Sequence, residues 1–128
     1  MSNPTHVALT VACEPHLARI VRMTAANVAA LSSMSVERVE DIRMAAEEAF
    51  IYACSTAPGE DLVVDFDADP DHVAMTFQLS ASSFAEPSED DPTAAYVDLI
   101  LGSVCDVYEK HEAPARLVLD VKADVDAI

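Results

Sequence analysis

Val7, Leu9 and Val11 alternate with smaller or polar residues, which predicts a first strand. Glu14-Pro15 reads as a helix entry, since proline loses nothing in a first turn where its N–H would have no partner. Leu17, Ile20, Val21, Thr24, Val28 and Leu31 then recur at three- and four-residue steps, and Ser32 to Ser35 breaks the pattern. A second helix is predicted with Ser35 as N-cap and Glu37 near its positive end. Val39, Ile42, Ala46, Ala49, Phe50 and Ala53 are its expected buried stripe, and Pro58-Gly59 stops it by Thr56.

The period then changes from 3.6 to 2. Leu62, Val64 and Phe66 alternate with Val63 and Asp65, Asp69-Pro70-Asp71 is a turn, and Val73, Met75, Phe77 and Leu79 alternate with Ala74, Thr76 and Gln78. This is a hairpin. Residues 80–92 form a polar connection carrying Glu86, Glu89, Asp90 and Asp91. Asp91-Pro92 can open a third helix with Val97, Ile100, Leu101, Val104 and Val107 inward. Leu117, Leu119 and Val121 predict a last strand, and the end with Asp124 and Asp126 is expected to fray. The order is strand, helix, helix, strand, strand, helix, strand. Its natural layering is an α+β two-layer sandwich, a mixed sheet with helices on one face, and residues 1–128 read as a single domain.

Charge narrows the possible partners. Against 23 Asp+Glu stand 7 Lys+Arg, a formal net charge of −16, which argues against nucleic acid and anionic membrane. No stretch approaches the roughly 18 apolar residues of a membrane span, and the N-terminus lacks a signal-peptide pattern, so a cytoplasmic location is expected. Cys13, Cys54 and Cys105 are widely spaced and fall in or beside apolar stretches, which points to reduced core thiols. His6, His16, His72 and His111 are also scattered, and no metal site is expected. With only 2 Gly in the chain, a phosphate-cradling loop is hard to build.

Four stretches carry a family resemblance. They are Val7-Ala8-Leu9-Thr10-Val11 with Arg22-Met23-Thr24, then Val39-Glu40-Asp41-Ile42-Arg43-Met44-Ala45-Ala46-Glu47-Glu48-Ala49, then Leu99-Ile100-Leu101-Gly102-Ser103-Val104-Cys105-Asp106-Val107. Together they resemble the small GHKL-type (histidine kinase-like) ATPase domains that serve as anti-sigma factors and serine kinases in bacterial partner switching, the RsbW-like family. The resemblance implies the GHKL fold, ATP and Mg²⁺ as the family's cofactors, a homodimer, and a sigma factor or an anti-sigma factor antagonist as partner.

The family's site carries over only in part. Glu48 matches a Glu thought to act as general base, but Tyr52 stands where an Asn holds Mg²⁺, and a phenol is a poor ligand for that cation. Leu79 replaces the Asp that pairs with the adenine amino group, and an unpaired buried donor costs about 1–3 kcal/mol. Ala81 replaces a glycine, and Ala95-Tyr96-Val97 replaces the glycine turn before the third helix. A Val at positive φ there costs roughly 1–2 kcal/mol. Glu48 is then a vestigial base, Tyr52 is expected to pack into the vacated cavity, and no cofactor is expected. Arg22 matches a basic residue with which the family engages partners, and Arg19 lies on the same helix. The leading reading is an anti-sigma-factor-like regulator acting by protein binding. An ATP-dependent serine kinase that phosphorylates an antagonist and a catalytically inactive subunit that regulates an active homologue are the alternatives.

Overall fold

The computed structural model describes residues 4–56, 58–79, 93–112 and 115–125. They form β1 (Thr5–Ala12), a single 3-10 turn (Pro15–Leu17), α1 (Ala18–Ala29), α2 (Val36–Thr56), β2 (Asp61–Asp69), β3 (His72–Gln78), α3 (Thr93–Val104), β4 (Val107–His111) and β5 (Arg116–Lys122). The sheet order is β1-β2-β3-β5-β4. The inward positions of β2, β3 and β5, among them Val64, Phe66, Met75, Phe77, Leu117 and Leu119, are fully buried beneath the helices. Among the described residues the architecture is an α+β sandwich of one sheet and three α-helices.

Every strand pair among the described residues is antiparallel, so the expected mixed sheet is corrected. The reason is β4. A chain running from β3 through α3 straight into β5 would make a parallel crossover. Instead α3 ends at Val104 and delivers the chain to an outer strand, which returns through a hairpin into β5 beside β3. Val107, expected on the inner face of α3, is the first residue of that outer strand and pairs with Asp120.

The first helix is also corrected. Its buried residues are Ala18, Val21, Ala25, Val28 and Ala29, whereas Ile20 and Leu31 are exposed and Leu31 lies beyond the helix end. Alanines at Ala18, Ala25 and Ala29 let α1 approach α2 closely, and the larger side chains are turned outward.

At α2, Ser35 caps as expected, its Oγ accepting from the Arg38 N–H at 3.2 Å. Asp124 does not fray: its carboxylate accepts from the Ser35 N–H at 2.8 Å and from the Ser35 hydroxyl. Asp126, Asp91-Pro92 and the acidic residues of 80–92 lie outside the described residues. Gly59, at φ +78°, makes the turn after α2 and donates its N–H to Cys13 O at 3.1 Å.

The solvent face of the sheet carries two histidines held between aspartates. His6 meets Asp67 at 2.8 Å and Asp65 at 3.4 Å, and His72 meets Asp120 at 2.9 Å and Asp69 at 3.2 Å. Burial pulls the His72 pKa down, but the hydrogen bond to Asp120 and the charges of Asp120 and Asp69 outweigh it, and the net shift is upward. The hydrogen bond to Asp67 raises His6 as well. Asp69 is lowered, chiefly by the Asp71 N–H that it accepts, and Asp124 by its bonds from Ser35.

A raised histidine adds stability that is complete below its unfolded value of about 6.5 and is lost as pH climbs through the folded one. Lowered carboxylates add stability that is present above about pH 4 and lost as pH falls through their folded values. Stability therefore peaks on the acid side of neutrality. The urea midpoint is expected to be higher at about pH 6 than at about pH 8, with a smaller difference in His72→Gln. Equal midpoints, or a higher one at the alkaline end, would contradict this.

Candidate functional site

The residues singled out in the sequence fall into two groups. Glu48 and Tyr52 lie one turn apart on α2, where Tyr52 is 6% exposed and Glu48 is half-buried. Leu79 is buried just past β3, with its N–H donated to Ala115 O at 3.0 Å. Val97 is buried and Ala95 exposed, both inside α3. Ala81 is outside the described residues. Neither glycine serves these positions, because Gly59 forms the turn after α2 and Gly102 lies within α3.

Three residues beside Tyr52 escaped sequence reasoning because they sit on or opposite β4. The Lys110 Nζ lies over the Tyr52 ring, 4.9 Å from its centroid, and binds Asp98 of α3 at 2.9 Å. The Tyr108 hydroxyl donates to the same Asp98 at 2.7 Å. Burial, followed by that hydrogen bond, pushes the Tyr108 phenol up. Tyr52, Asp98, Tyr108 and Lys110 thus form one polar-aromatic plug joining α2, α3 and β4. Register within β4 is the only signal that could have found it: Tyr108 and Lys110 oppose the core residues Leu119 and Leu117.

The second group lies on the outer faces of α1 and α2. Arg22 pairs with Glu47 of α2, Nη1 standing 3.4 Å and 3.5 Å from the two carboxylate oxygens, at about one-third exposure on each side. These contacts are long, and the buried Arg22 Nε has no hydrogen-bond partner among the described residues. Arg19, Ile20 and Met23 are exposed on α1, and Met44 and Ile51 are exposed on α2 on the side that carries Glu47. An under-used guanidinium on a pair of helices that also expose apolar side chains has the composition of a protein-docking surface.

Among the described residues, no group of three or more His, Cys, Asp or Glu side chains is placed to hold a metal ion. No helix among them is long and apolar enough to cross a membrane. No family model matches the chain, and no curated protein matches its sequence.

Proposed function

We propose that this chain is an anti-sigma-factor-like regulator of the GHKL ATPase type, acting by protein contact in the cytoplasm and not through bound nucleotide. The observation that carries the reading is the α1–α2 pair, where Arg22 is loosely held by Glu47 and Met23, Met44 and Ile51 are exposed on the same two helices. Arginine and large apolar side chains are the residues from which interface hot spots are made. The partner is a sigma factor or an anti-sigma factor antagonist.

The residues at the family's nucleotide positions do not fit Mg-ATP. Tyr52 occupies the place of the metal-holding Asn, and its ring already carries the Lys110 ammonium, a positive charge that opposes a divalent cation. Leu79 and Val97 belong to the hydrophobic core and offer no polar group to a base or a phosphate.

Purified sigma factors and antagonist proteins from the same host, titrated one by one into the protein, test the proposal. One of them is expected to bind. Arg22→Ala is expected to weaken that complex by about 30-fold or more, the loss of a hot-spot side chain, with an unchanged urea midpoint. Binding of none, or equal binding by Arg22→Ala, would overturn it.

A further inference from the structure

Cys13 follows β1 and Cys54 lies two residues before the end of α2, yet both thiols line one apolar cleft of about 290 Å³. Pro15, Ile51, Ser55 and Pro58 complete its walls. Each thiol lies near enough to shift the other's ionisation, as side chains lining one cleft do. The backbone of Cys13 is fixed against the turn after α2, its N–H donating to Glu60 O at 2.7 Å and its carbonyl accepting from Gly59 at 3.1 Å. Strand end and helix end are therefore held together independently of the thiols. Cys105 is buried elsewhere, after α3.

The geometry points to a dithiol modification site, at which Cys13 and Cys54 close to an intramolecular disulfide by exchange with a small, neutral or cationic disulfide admitted to the cleft. Cys13 is the attacking sulfur. Burial raises the pKa of both thiols, Cys13 less far than Cys54, which is pushed up to about 12. The Cys13 thiolate attacks one sulfur of R–S–S–R, forming a mixed disulfide and expelling RS⁻, which takes up the proton that Cys13 released. Cys54 then attacks the Cys13 sulfur, expels the second RS⁻ and gives it its proton. Two protein thiols are oxidised and one small disulfide is reduced to two thiols. The negative charges of Glu60 and Asp61 beside Cys13 repel an anionic reagent, and the apolar walls favour a compact one.

The test uses the whole native protein with cystamine (cationic), hydroxyethyl disulfide (neutral) and oxidised glutathione (anionic), read by intact mass and peptide mapping. Cystamine and hydroxyethyl disulfide are expected to remove two hydrogen atoms and give a Cys13–Cys54 linked peptide with Cys105 still free. Oxidised glutathione is expected to be at least about tenfold slower. Cys105→Ala should behave as wild type, whereas Cys54→Ala should stop at a mixed disulfide on Cys13. Persistent mixed disulfides on the wild type, modification of Cys105 at the same rate, or no loss of thiols under conditions that oxidise a small dithiol would each overturn the proposal. The linked peptide in wild-type protein decides the matter even if a variant fails to fold.

Discussion

Replacing Arg38 by Ala is expected to cost about 3 kcal/mol of folding stability, the sum of lost charge-assisted bonds and stranded acceptors. Arg38 is 17% exposed and joins three elements. Its Nε donates to Lys122 O of β5 at 2.9 Å, and Nη1 donates to Val104 O of α3 at 3.2 Å and to Asp41 at 3.3 Å. Nη2 binds Asp106, whose carboxylate also accepts from the Lys122 N–H at 2.6 Å. Removing the guanidinium leaves two carbonyls and the carboxylates of Asp41 and Asp106 without this donor, beside the junction where α3 turns into β4. Lysine cannot substitute, because an ammonium is a point donor and these acceptors are spread around a planar fork. Arg43→Ala is the control: Arg43 makes one exposed pair with Glu40 on the same helix, worth about 0.5 kcal/mol or less. Urea unfolding of both variants measures the contrast, and a loss below about 1 kcal/mol at Arg38 would refute this account of the junction.

Tyr52→Ala is expected to cost about 3–4 kcal/mol, as truncation of a buried aromatic does. The phenol ring supplies the contact surface between α2 and the α3–β4 plug, and the Lys110 ammonium over its face adds a cation–π attraction of about 1 kcal/mol when partly desolvated. Its loss leaves a void beside Asp98 and Lys110 that neighbouring alanines on α2 cannot fill. Tyr52→Asn removes the same ring and should destabilise comparably. A near-neutral effect of either substitution would show that Tyr52 is not a packing residue and that space for a ligand already exists beside it.

Much of this fold is legible in the sequence where large apolar residues follow a clean period between strong turn signals. The alternation of Leu62, Val64 and Phe66, and of Val73, Met75 and Phe77, on either side of Asp69-Pro70-Asp71 is of that kind, and so is the Ser35 cap. The first helix misleads because its inner face is made of Ala18, Ala25 and Ala29, whose small size suits close helix packing but gives little periodic signal beside Ile20 and Leu31. The outer strand β4 is hidden for two reasons. Val107 continues the spacing of the third helix, and the residues after it are Tyr108, Glu109, Lys110 and His111, in which the inward positions are an aromatic with a polar tip and a lysine. Missing β4 also concealed the sense of the sheet and the partners of Tyr52. The candidate docking face was legible only as Arg22 and Arg19. Its acidic counterpart Glu47 and the outward Met23, Met44 and Ile51 became visible once the two helices were placed side by side.

Calorimetric titration of Mg-ATP into the whole protein, in a sample shown to unfold cooperatively, is the most direct test of the proposal that this α+β sandwich works without nucleotide. The account predicts no binding heat with or without Mg²⁺, because Tyr52, Leu79 and Val97 are packed in the core and Lys110 sets a positive charge over the Tyr52 ring. Saturable, Mg²⁺-dependent binding at micromolar affinity would contradict it.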